Sequence, residues 1–337
     1  MSGYQESDAE VLLGILIPTR NRLRELQLTL ENLKESIEAD GEILNISILI
    51  GDNASEDGTG EFLKNSNYSY YINEKNLGIT QNIIKGIDLL RCKYVWIFGD
   101  DDLIPETAIS NIVGILKEGR TSHLWLPSLS FMESKELDLK KRTVIEKLYK
   151  LPNRTFFEEY DRDSGFITSN IYRKEILNKG IEYLIRSGLK DTNNYFIRAV
   201  SYYIVCNEGT CKLEGLNVFK RVGNGSSFTK TPREMLKTFM LDVNELMPII
   251  RKIDINVYKI QKEKARSNFI MHIIVVYTIE EWRKILQREY VLYRSPFVLL
   301  MLLLGRRGVD FTYRLYKRLR GSPVPSVLMQ NINRYED

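Results

Sequence analysis

YVWIFGDDDLIPE, residues 94–106, sets an apolar run directly against three consecutive aspartates. Tyr94–Phe98 has the length and composition of a buried strand. Asp100, Asp101 and Asp102 follow at once. Three carboxylates in so small a volume disfavour ionising together, so a cation is expected beside them. A hard divalent ion, Mg2+ or Mn2+, needs only one or two carboxylates and completes its shell with water and phosphate oxygens. The plainer alternative is a solvated helix start ahead of Leu103-Ile104-Pro105-Glu106, a position that suits acids.

Upstream the same grammar repeats. Val11–Ile17, Ile46–Ile50 and Tyr68–Ile72 read as further strands. Between them, Leu23, Leu26, Leu30, Leu33 and Ile37 recur at helical spacing, as do Ile83, Ile84, Ile87 and Leu90. Strand and helix in alternation predict βαβ units and an α/β, mostly parallel, Rossmann-like sheet flanked by helices. Ligands of such sheets bind at the carboxyl ends of the strands. Polar clusters stand at those ends: Pro18-Thr19-Arg20-Asn21-Arg22, Gly51-Asp52-Asn53-Ala54-Ser55-Glu56-Asp57-Gly58-Thr59, and Asn73-Glu74-Lys75-Asn76-Leu77-Gly78. Taken singly each has a bland reading. Asp57-Gly58-Thr59 is a turn and helix start, and Asn76-Leu77-Gly78 is a loop.

Downstream, His123–Leu126, Phe166–Tyr172, Tyr202–Val205 and Lys212–Phe219 read as strands. Beyond Pro232 long helical patterns take over, so the expected division is an α/β domain at 8–230 and a helical C-terminal region at 231–337. Hydrophobic content of 43% and charged content of 27% describe a globular chain. Three cysteines, Cys92, Cys206 and Cys211, make no disulfide framework and lack zinc spacing, which suits a reducing compartment. The opening residues do not read as a signal peptide. His123 and His272 lie on apolar segments and are expected in the core.

In order and spacing, ILIPTRNR, ILIGDNASEDGT, NEKNLGITQNIIKGI and YVWIFGDDDLI resemble the family 2 glycosyltransferases with the GT-A fold. The resemblance covers about residues 11–225. It implies a nucleotide-sugar donor whose nucleoside is held by Pro18, Thr19, Arg20 and Asp52, with Asp52 accepting from the base. Asn76 and Gly78 would line the donor pocket. The acidic motif would ligate Mg2+ or Mn2+ on the donor diphosphate. Aligned without a gap, Gly99 takes the place of the family's first Asp; alternatively Asp100-Asp101-Asp102 is itself the motif. Asp101 and Asp102 are expected nearest the metal, with Asp100 behind them. NVFKRVGNGSSFT resembles the loop that closes over the diphosphate, which assigns Arg221 to phosphate oxygens; Gly223 stands where the family commonly has His. Among relatives, the resemblance is to bacterial O-antigen and capsule sugar transferases, the abequosyltransferase-like branch included.

An inverting reaction needs a base for the acceptor hydroxyl. Relatives place a carboxylate before a helix, which lands on Asp191 in GLKDTNNYF, with Lys190 where the family more usually has Glu. Asp161 and Asp163 compete for the role, and Asp191 could instead simply cap a helix at Asn193–Val200. Two other classes fit the sequence less well. A sugar-phosphate nucleotidyltransferase would open with a Gly-rich phosphate loop, and residues 11–22 contain only Gly14. A non-catalytic binding or scaffold protein has no need of an intact acidic triplet and Arg221.

Net charge is +4, unevenly spread. Ten Lys or Arg between Arg283 and Arg320 face only Glu289 and Asp310, so that segment carries +8 and the remainder −4. The apolar run Phe297–Leu304 is too short to span a bilayer. Apolar and aromatic residues mixed with cations suit an anionic membrane surface, and no nucleic-acid motif accompanies the charge. The expectation is a cytoplasmic enzyme, peripheral on the inner face of the membrane, with a glycan or lipid-linked glycan acceptor and an oligomer possible.

Overall fold

The computed structural model describes residues 11–39, 45–131, 139, 147–160, 165–221 and 242–264. The chain divides into two units, one of Met1–Asn224 with Glu245–Tyr258, the other of Gly225–Asn244 with Lys259–Asp337.

The first unit is built on β1 (Val11–Thr19), α1 (Leu23–Glu38), β2 (Ile46–Asp52), α2 (Thr59–Lys64), β3 (Ser69–Ile72), α3 (Ile79–Leu89), β4 (Cys92–Ile97) and α4 (Ala108–Lys117). β5 (His123–Trp125), β6 (Ser128–Phe131), β7 (Lys147–Leu151) and β8 (Asn170–Arg173) follow, then α5 (Lys174–Arg186), α6 (Phe196–Glu208), β9 (Thr210–Glu214) and β10 (Val218–Arg221). α7 (Val243–Ile253) comes last, and residues 255–264 are also helical. Eight strands form one sheet in the order β3-β2-β1-β4-β8-β5-β9-β7. The leading four are mutually parallel; β8 runs antiparallel between β4 and β5. A separate parallel pair joins β6 to β10.

Strand alternation explains the layers. Leu13, Ile15 and Ile17 of β1 share a face with Tyr94, Trp96 and Phe98. The apolar stripe Leu26, Leu30 and Leu33 of α1 and Ile109, Ile112, Val113 and Leu116 of α4 join the same cluster. On the opposite face α3 approaches so closely that a Cβ on Gly86 would lie 2.3 Å from Leu16. Side chains of this size each contribute about 1.5–3 kcal/mol when fully buried, so the sheet holds the site's loops on a rigid base.

Three readings of the sequence need correction. Tyr202–Val205 is not a strand but the C-terminal half of α6, which runs on well past Val200. This helix buries Phe196, Ile197, Ala199, Val200, Ser201, Tyr202, Ile204 and Val205, so Ala199–Tyr202 run inward without a break and mask the helical period. Phe166–Tyr172 begins as a 3-10 turn at Ile167–Ser169 before β8. Lys212–Phe219 breaks at Gly215, which takes φ +96, and its halves belong to different sheets.

His123 is a core residue, fully buried and stacked 5.0 Å from Tyr172. Burial pushes its imidazole down to about 4, so it stays neutral. The three cysteines are free. Among the described residues no helix is long and apolar enough to cross a membrane. His272, Asp161, Asp163, Gly223 and the basic segment 283–320 lie outside the described residues.

Candidate functional site

From β1 the chain passes to β2 on one side, while β4 lies on the other. The crevice at such a switch of direction is where open α/β sheets receive ligands. Pro18, Thr19 and Asp52 end β1 and β2 there, paired in register Pro18↔Gly51 and Thr19↔Asp52. The two loops that follow are stitched together. Asn53 N donates to Thr19 O (2.9 Å), Asn21 N to Ser55 Oγ (2.9 Å), and Glu56 N to Asn21 Oδ1 (2.8 Å). Leu23 N, at the start of α1, donates to Asp57 Oδ2 (2.9 Å). Asn21 and Ala54 sit at φ +54 and +59, a conformation L residues hold only when their surroundings impose it.

Asp52 is fully buried. Its Oδ1 accepts from Ser55 N (3.1 Å) and Ser55 Oγ (2.5 Å), whereas Oδ2 has no hydrogen-bond partner among the described residues. Desolvation raises its pKa; the Ser55 bonds oppose this, Asp57 adds to it, and the exposed Arg20 pulls the other way.

The acidic triplet splits. Asp100 Oδ2 accepts from Thr19 Oγ1 (2.8 Å) and its Oδ1 from Arg22 NH1 (3.1 Å). The same Arg22 nitrogen reaches Asp101 Oδ2 at 2.6 Å. Burial pushes the Asp100 carboxyl up to about 6, with Arg22 opposing and Asp101 adding to the shift. Arg22 loses by desolvation, yet the two carboxylates hold it above its ordinary value. Asp102 turns away: Thr168 Oγ1 donates to its Oδ2 (2.5 Å) while accepting from Gly99 N (2.9 Å). A Cβ on Gly99 would lie 2.2 Å from that Asp102 oxygen, which is why glycine stands there. The loop rests on a polar stripe of α1. Thr29 Oγ1 lies 3.1 Å from the carbonyls of Asp100 and Asp102, and Asn32 exchanges hydrogen bonds of 2.9 and 2.8 Å with Ile104.

A chain of amides sets the third loop. Asn53 Nδ2 donates to Asn76 Oδ1 (2.8 Å), and Asn53 Oδ1 accepts from Leu77 N (2.9 Å) and Asn73 Nδ2 (3.2 Å). Asn73 Nδ2 also reaches Asn82 Oδ1 (2.8 Å), and Lys85 Nζ donates to Asn73 Oδ1 (2.7 Å). Gly78 closes the loop at φ +84, ψ 161. Three residues on, Gln81 Nε2 donates to Asp191 Oδ2 at 2.8 Å, which sets Asp191 beside the first turn of α3. Asp191 does not cap α6; the cap position is Tyr195, whose N–H donates to Asn193 Oδ1 (2.9 Å). Arg221 ends β10. Its side chain is outside the described residues, but two positions earlier Phe219 exchanges backbone hydrogen bonds of 2.7 and 3.0 Å with Leu103, the residue after the triplet.

The glycosyl transferase family 2 profile matches residues 14–180. Those residues form a family 2 glycosyltransferase domain. The abequosyltransferase RfbV of Salmonella typhimurium is 34% identical over 106 residues, 30% of this chain and 31% of that relative's length. Staphylococcus aureus TarS, residues 1–349, solved with UDP-GlcNAc, superposes with a TM-score of 0.52 at 12% identity, covering 90% of this chain and 92% of that one. Its complex with UDP matches equally, at 11% identity. The sheet is that of the GT-A fold.

Within the family 2 domain, Arg22 bridges Asp100 and Asp101, Thr19 bonds Asp100, and Asp52 lies beside Thr19 at the neighbouring strand end. Sequence reasoning quoted Arg22 in its motif but gave it no role. Asn53, Ser55 and Gln81 likewise stand in the quoted motifs without a role, and Thr168 reads only as part of a strand. Asn53 and Ser55 were legible as neighbours of Asp52; Thr168 and Gln81 lie 66 and 110 positions from their partners and carried no signal.

Proposed function

We propose that this chain transfers a sugar from a nucleotide-diphosphate sugar to a hydroxyl of a glycan acceptor in cell-surface polysaccharide synthesis. The observation that carries the reading is the cluster of Thr19, Arg22, Asp100 and Asp101 at the β1/β4 switch point of a family 2 domain. The similarity to a Salmonella protein named as an abequosyltransferase supports sugar transfer, and the group moved is read as hexosyl or deoxyhexosyl, in O-antigen-type synthesis. Pro18, Thr19 and Arg20 hold the nucleoside. Asp52 reads the base: a base N–H supplies the donor that Oδ2 lacks, once the Ser55 turn yields. Asn76 and Gly78 border the sugar, and Arg221 pairs with the diphosphate.

Among the described residues no group of three His, Cys, Asp or Glu side chains is gathered to hold a metal ion. The donor set nevertheless fits Mg2+ or Mn2+. It is hard carboxylate oxygen, it already draws a cation in Arg22, and such ions need few protein ligands when phosphates supply the rest. Asp101, the more exposed of the two carboxylates on Arg22, is the first ligand; Asp102 backs it from its seat on Thr168. A bound ion neutralises charge on the departing diphosphate. Asp191, oriented by Gln81, takes the acceptor proton as the hydroxyl attacks with inversion. The apolar and basic stretch 297–320 holds the enzyme at the inner membrane surface, where a lipid-linked acceptor presents its sugar.

Thermal shift against UDP-, GDP-, CDP- and dTDP-sugars identifies the donor, which at a hundred times its Kd stabilises by about 2.7 kcal/mol. With that donor, EDTA and Asp101→Asn each lower turnover at least about a hundredfold, and Asp191→Asn binds donor but fails to transfer. Full activity in EDTA removes the metal, and wild-type kcat in Asp191→Asn moves the base elsewhere.

A further inference from the structure

Arg22 stands immediately before α1 with its side chain about one-third exposed, so it has a path to solvent. One of its nitrogens bridges Asp100 Oδ1 at 3.1 Å and Asp101 Oδ2 at 2.6 Å. Beside it, Thr19 Oγ1 holds the far oxygen of Asp100, and Thr29 Oγ1 holds the carbonyls of Asp100 and Asp102. The guanidinium therefore occupies the place where a divalent ion on Asp101 would bring its charge. A guanidinium and a divalent ion on one carboxylate pair repel each other, so each weakens the other's hold on the acids.

We propose that Arg22 is an internal counter-cation that closes the acidic pair in the donor-free enzyme and must leave Asp101 before a divalent ion can bind there. The inference rests on the reading of Asp101 as a metal ligand. It makes metal entry and donor entry one event. An ion arriving alone has to displace Arg22 into water, whereas an ion arriving with a diphosphate brings phosphate oxygens to which the released guanidinium can turn in bidentate fashion. The free protein is thus a poor metal binder by construction, although its carboxylates remain suited to the ion.

The test uses the full chain without nucleotide. Mn2+ is titrated in and its free aquo signal is followed by electron paramagnetic resonance, so the readout is binding rather than turnover. Arg22→Gln is expected to bind Mn2+ about tenfold or more tightly than wild type, the scale of one charge-assisted hydrogen bond. Adding Asp101→Asn to it abolishes that gain. Arg22→Lys keeps a charge with a single-point head and falls between the two, and it keeps the inference testable if Arg22→Gln fails to fold. Equal Mn2+ affinity in wild type and both Arg22 variants, together with loss in Asp101→Asn, overturns the counter-cation role and leaves the metal ligand standing. Absence of saturable binding in every variant overturns this inference, while the metal reading stands or falls by the EDTA test with donor present.

Discussion

Asp52 enters the site with one oxygen held by Ser55 and the other buried without a hydrogen-bond partner among the described residues. A buried acceptor without a donor costs about 1–3 kcal/mol, which a ligand N–H recovers on binding. Asp52→Ala is therefore expected to weaken nucleotide binding by about tenfold to a hundredfold, measured by calorimetry, with kcat at saturating donor changed much less. A loss of kcat alone would move Asp52 out of base reading. The acidic triplet teaches a related point. Its three side chains have identical chemistry, yet Asp100 and Asp101 face Arg22 while Asp102 faces Thr168 and Gly99. Residue type announces a charged site; the division of labour inside it depends on partners distant in sequence.

Elements show what pattern reading captures and what it passes over. The apolar stripe of α1 was legible at Leu26, Leu30 and Leu33, and the core receives it. Its second stripe, Thr29, Asn32 and Ser36, is buried too, and it carries the loop after β4 through Asp100, Ile104, Pro105 and Glu106. In sequence that stripe cannot be told from a solvated face. The loop before α3 depends on backbone as much as on side chains. Gly78, at φ +84 and ψ 161, occupies a region closed to other residues, although a Cβ there would touch nothing within 4 Å. Gly78→Ala should thus cost about 1–3 kcal/mol through strain alone, read as a lowered Tm. Part of the loss should appear as weaker donor binding, because Asn76 and Leu77 move with the turn. An unchanged Tm would show that the loop relaxes freely.

At the scale of the whole molecule, the parallel strands β3, β2, β1 and β4 bring loops from four stretches of chain to one crevice. The basic segment 283–320, read from sequence, is proposed to add a second level of placement at an anionic membrane surface. Each Lys or Arg near an anionic leaflet contributes about 1 kcal/mol, so full-length protein should float with anionic liposomes, less at high salt. A chain ending near Glu289 should remain at the bottom of the gradient; if both remain there, the membrane reading is withdrawn. What the sequence determined by itself was the order β1, α1, β2, β3, α3 and β4, the clusters at the strand ends and the family they belong to. Those features are local: hydrophobic period, turn chemistry and charge density are set by neighbours along the chain. Only the tertiary structure decided that Arg22 bridges Asp100 and Asp101, that Gln81 orients Asp191, that Thr168 seats Asp102, and that Tyr202–Val205 is helical. Each of these depends on which surfaces the folded sheet brings within hydrogen-bond reach or buries on every side, and no local pattern records that.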